Sequence, residues 1–101
     1  MNENIKMDIT KGRIRNVKYG TTIDGRKAVR FEIGSDALVS YRDEEPDLRT
    51  TWNKACAEVN ESVPTDLKEG DAVILAGHWF ALNNNLELGG TAFFAITISR
   101  D

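Results

Sequence analysis

The sequence predicts an all-β fold with one short helix, arranged as a five-stranded Greek-key barrel. Three observations predict it. Five segments of strand character are separated by turns marked with Gly, Pro or Asn. The clearest of them alternates apolar and polar residues with a period of two. A single helix-like segment falls between the third and fourth.

The first strand spans roughly Met7–Tyr19, with Ile9, Ile14 and Val17 as its apolar points. Ile9 and Ile14 differ in parity, and Gly12 between them marks a bulge or sharp bend. The polar turn Gly20–Gly25 ends in the hairpin signal Asp24-Gly25. The second strand is Lys27–Ile33, where Val29, Phe31 and Ile33 alternate with Ala28, Arg30 and Glu32, giving one wet face. Residues 34–49 are expected as a long polar loop tipped by Asp43-Glu44-Glu45-Pro46-Asp47, into which Leu38, Val39 and Tyr41 can extend a strand.

Thr50–Ala57 is the third strand, with Trp52 as its landmark and only weak alternation. Asn60–Lys68 reads as the helix, with Ser62 as cap, Pro64 in the first turn and Gly70 as the stop. Asp71–Phe80 is the fourth strand, built on the run Ala72–Ala76. A polar turn over 82–90, closed by Gly89-Gly90, leads to the last strand, Thr91–Ser99. The order β-β-β-α-β-β is the layout of the OB-fold, and the helix argues against an SH3-like barrel or a β-sandwich. One domain over 1–101 is expected, with residues 1–6 as an N-terminal extension.

Composition excludes several classes. Of 101 residues, 41% are hydrophobic and 29% charged, the balance of an ordinary globular domain and not of a disordered chain. No apolar run is long enough to span a membrane, and the polar start is not a secretory signal. One cysteine, Cys56, allows no internal disulfide, and with the single His78 it makes no structural zinc site. No nucleophile–base pair and no phosphate-binding glycine fingerprint is present, so neither an enzyme nor a cofactor is expected. The cytoplasm is the default compartment for a lone reduced thiol.

The net charge of −3 conceals a segregation. Residues 1–30 hold eight Lys/Arg against three acids, whereas the other 71 residues hold five against thirteen. A chain that is acidic overall can therefore present one basic face to an anion.

Several short matches, in order along the chain, resemble the single-stranded DNA-binding (SSB) proteins of bacteria and phages. Gly12-Arg13-Ile14 is similar to a Gly-Arg-Leu in that family's first strand. Gly25-x-x-x-Val29-x-Phe31-x-Ile33 is similar to its second-strand pattern, and Thr51-Trp52-Asn53-Lys54 to its Glu-Trp-His-Arg. The most specific match is Leu67-Lys68-Glu69-Gly70-Asp71-x-Val73-x-Leu75-x-Gly77, similar to Leu-Lys-Lys-Gly-Asp-x-Val-x-Val-x-Gly. The resemblance runs from about Lys11 to Ile98. It implies a tail-less, non-enzymatic OB-fold that binds single-stranded DNA in replication, recombination or repair. It also implies a homo-oligomer, a dimer or tetramer, with replication or repair proteins as further partners. Two features depart from the family. No acidic recruitment tail is expected after Asp101, and two stacking aromatics are replaced, one by Glu58 and one near Asn84 or Asn85.

On this reading Trp52 is the stacking platform for a base, and Trp79 is a second candidate at the end of strand four. Lys11, Arg13, Arg15, Lys27, Arg30 and Lys54 are the candidate phosphate contacts. Lys11, Arg13 and Arg15 share one parity, hence one strand face. Glu32 opposes this cluster locally. Cys56 is read as a small buried residue and His78 as a surface or interface residue. The lost aromatics also leave open a protein-interaction module of the primosomal type, derived from SSB and with little nucleic-acid affinity.

Overall fold

A computed structural model describes residues 7–42, 45–81 and 91–101, with side chains described for 7–35, 50–81 and 91–101. The expectations for the extension 1–6, the acidic tip at Asp43-Glu44 and the turn 82–90 lie outside the described residues, as does the side chain of Tyr41.

Five strands close a barrel in the order β1-β2-β3-β5-β4: β1 Asp8–Thr21, β2 Lys27–Arg42, β3 Glu45–Glu58, β4 Ala72–Ala81 and β5 Thr91–Arg100. All pairings are antiparallel except β3 with β5, which run parallel over Lys54–Ala57 and Ala92–Ala95. β1 serves two neighbours. Asp8–Arg13 pair with β4 and Arg13–Thr21 with β2, so one strand closes the barrel. The handover occurs at Arg13, next to Gly12, where a Cβ would lie 2.0 Å from the Gly34 carbonyl oxygen. Only glycine permits that approach.

Inward residues fill the barrel as the alternation requires. Ile14, Val29, Phe31, Ile33, Val73, Leu75, Phe93 and Ile98 form the core with Ala55, Ala57 and Ala95. The weak alternation of β3 has its cause here, because its inner face is alanine opposite the larger Phe93 of the parallel neighbour. The turn after β1 forms as expected, with Thr22 N–H donating to Arg26 O at 2.7 Å and Gly25 N–H to Thr22 O at 3.0 Å. Among the described residues no helix is long and apolar enough to cross a membrane.

Four expectations are corrected. The segment 34–49 is the arm of a long hairpin, since β2 continues to Arg42 and β3 begins at Glu45. Ile9 and Ile14 differ in parity without a bulge at Gly12, because Ile9 points outward and is 64% exposed. The bulge lies further on, between Arg15 and Lys18, at Asn16 with φ 56°. Asn tolerates this left-handed geometry better than most residues.

The third correction is the helix. Residues 60–68 form turns and irregular chain, with several backbone groups bonded outside any helical pattern. Asn60 Oδ1 accepts from Ser62 N–H at 2.6 Å, so Asn60 takes the place expected of Ser62. Ser62 O accepts from Ile98 N–H at 2.9 Å, and Leu67 N–H donates to the Tyr19 hydroxyl at 3.0 Å. The segment still plugs the barrel end through the buried Val63 and Leu67. The fourth is Cys56, which lies half-buried on the outer face, between inward Ala55 and Ala57.

Candidate nucleic-acid interface

The register of β1, β2 and β3 sorts the outward side chains into rows across the sheet. Arg13, Gly34 and Trp52 form the first row, and Arg15, Glu32 and Lys54 the second. Beyond the Asn16 bulge, Lys18, Arg30 and Cys56 form the third, which β5 extends with Phe94.

Trp52 sits at this surface because its neighbour in the row has no side chain. A Cβ on Gly34 would lie 2.8–2.9 Å from three atoms of the indole six-membered ring. The indole therefore lies against the Gly34 backbone and remains 37% exposed. The Arg15 guanidinium carbon stands 3.8 Å from the ring centroid, a cation–π contact. Glu32 holds Arg15 there, its Oε1 accepting from Arg15 Nε at 2.7 Å and from Asn16 Nδ2 at 2.9 Å. The hydrogen bond from Arg15, then that from Asn16, holds the Glu32 carboxyl below its ordinary range.

Lys11, Gly12, Arg13, Gly34 and Trp52 line an open groove of about 700 Å³. Arg13 reaches Gly70 O through Nη1 at 3.0 Å. The same tight segment, Lys68-Glu69-Gly70-Asp71, braces the bulge: Glu69 Oε1 accepts from Val17 N–H at 3.1 Å, and Gly70 N–H donates to Ile14 O at 2.8 Å.

The structure thus brings together Trp52, Arg13, Arg15, Lys11 and Lys54, with Arg30 two residues further along β2 from the Glu32 row. Lys27 is placed apart, opposite Thr21 at the start of β2. Trp79 is also apart. It pairs with the core residue Phe93 across β4 and β5, and their rings meet edge to face at 5.0 Å. Its neighbour Phe80 faces outward beside Phe94 at 6.3 Å.

The rows also contain two residues outside the sequence-derived set, Lys18 and Phe94. Phe94 was detectable as the second residue of the pair Phe93-Phe94, since alternation turns one outward. Lys18 was not, because its parity depends on a bulge that no glycine announces.

No protein-family model matches the chain, and no curated protein matches it in sequence. Solved structures do match. The SSB of Plasmodium falciparum, in complex with ssDNA, superposes with a TM-score of 0.69 at 15% identity, over 98% of this chain and 96% of that one. A small single-stranded DNA-binding protein from Streptomyces coelicolor gives 0.68 at 18% identity, over 99% and 96%. The chain is an OB-fold barrel of the kind these two proteins have.

Proposed function

We propose that the chain is a non-enzymatic protein that binds single-stranded DNA on the outer face of β1, β2 and β3. The observation that supports this best is the seating of Trp52: a half-exposed indole laid on Gly34 and ringed by Lys11, Arg13 and Arg15. Single-strand binding needs a π-face for a base and cations for the phosphates beside it. Lys11 and Arg30 make no ion pair among the described residues, and Lys54 has only a longer-range attraction to Glu32 opposite it. Two proteins of the same fold carry single-stranded DNA binding in their names or complexes.

The working unit on this reading is a dimer or tetramer, since one barrel presents a short path. Ile9 and Ile96, 64% and 40% exposed on the β1–β4–β5 side, suit a contact between copies. Replication, recombination or repair is the setting, with proteins of those processes as further partners.

The test is tryptophan fluorescence of the full chain titrated with oligo-dT. Saturable quenching is expected. Trp52→Ala should weaken binding at least about fivefold, the lower end of a base–aromatic stack, without shifting the unfolding midpoint. Unchanged affinity in Trp52→Ala would remove the stacking role.

A further inference from the structure

The third row of the outer face holds a second groove, of about 650 Å³, whose lining includes Lys18, Arg30, Cys56 and Phe94. Phe94 is 44% exposed, although it lies mid-strand on β5. Phe80 supports it from one side, with ring centroids 6.3 Å apart and planes at 60°. Toward β3 its register partner is the short side chain of Cys56, and both residues line the groove.

The charges of this groove are divided. Arg26 is satisfied by Asp24 at 3.1 Å and Glu58 at 3.3 Å. Lys18 and Arg30, adjacent in the register, make no ion pair among the described residues. An exposed aromatic ring beside two unpaired cations is the same chemistry as the Trp52 groove. The two grooves lie on one continuous face. Trp52 and Cys56 are four residues apart on β3, roughly 13 Å along the strand. The row between them carries Arg15 and Lys54.

We infer that Phe94 is a second base-stacking platform. A single DNA strand lying on Trp52 continues along β3, passes Lys54, places a phosphate between Lys18 and Arg30, and stacks a further base on Phe94. This inference rests on the single-stranded DNA reading above.

The experiment titrates the full chain with a dT oligomer of about 16 nucleotides, the upper limit of one barrel's site. Phe94→Ala and Phe94→Leu should each weaken binding at least about fivefold, whereas Phe94→Tyr retains it. Leu keeps apolar area on the sheet, so a loss in Phe94→Leu at an unchanged unfolding midpoint assigns the effect to the ring. A second readout is the triple variant Trp52→Phe, Trp79→Phe and Phe94→Trp, whose only indole is at position 94. Its fluorescence should be quenched saturably. The inference is overturned if Phe94→Ala and Phe94→Leu bind as tightly as the unaltered chain, or if the triple variant still binds the oligomer, read by anisotropy of a labelled strand, while its indole at 94 does not respond. Absence of binding by the unaltered chain would overturn the underlying reading as well.

Discussion

Trp52 is held at the surface by what its neighbours lack as much as by what they supply. Gly34 leaves room for the indole, and Arg15 lies over the ring with Glu32 holding its Nε. Glu32 is therefore an internal competitor for DNA, since it occupies the cation that a phosphate would seek. Glu32→Gln should tighten oligo-dT binding roughly two- to fivefold, the scale of an exposed ion pair. Weaker binding in that variant would show instead that Glu32 aims Arg15 at the phosphate. The carboxyl is also a pH marker. Its folded value is depressed, so the contribution of the pair is present above the unfolded value and lost as pH falls through the folded one. An NMR titration should place the Glu32 midpoint below that of an unpaired glutamate, and Arg15→Ala should raise it. At this scale the sequence was legible where a residue acts by being large or charged. Trp52, Arg13, Arg15 and the opposing Glu32 could all be named from it. The role of Gly34 is to be empty, and nothing in a single sequence marks an emptiness that a distant tryptophan fills.

The strands were legible as elements because their cores alternate, but two boundaries and the helix were not. Local signals favoured a helix over 60–68, yet so short a helix costs more in nucleation than it returns. Partners from β1 and β5 then take its backbone groups. The Tyr19 hydroxyl is central, accepting from Leu67 N–H at 3.0 Å and donating to Pro64 O at 2.7 Å. Tyr19→Phe should cost about 1–2 kcal/mol, read as a lower denaturant midpoint with an unchanged slope. No change would mean that Val63 and Leu67 hold the plug by packing alone. Gly12→Ala tests the closure of the barrel. Its Cβ would meet a backbone oxygen, which has no rotamer to move, so a loss of about 3 kcal/mol or more is expected. The long arm of β2 and β3 was legible only as an extension of unset length through Leu38, Val39 and Tyr41, because polar residues paired mainly with one another give no core-facing alternation.

The molecule is acidic overall, yet the strands that build the candidate face come largely from its basic first 30 residues. That segregation was legible from charge counting. Its conversion into rows was not, because the rows need the closed register and the bulge at Asn16. The central claim is that this face neutralises the phosphates of a single strand. The measurement that tests it most directly is the salt dependence of oligo-dT affinity. Each phosphate neutralised on a single strand contributes about −0.7 to the slope of log K against log salt. With Lys11, Arg13, Lys54, Lys18 and Arg30 engaged, a slope of roughly −3.5 is expected. Arg30→Gln should flatten it by somewhat less than one unit. An affinity that does not change with salt, or no binding even at low salt, would contradict the account.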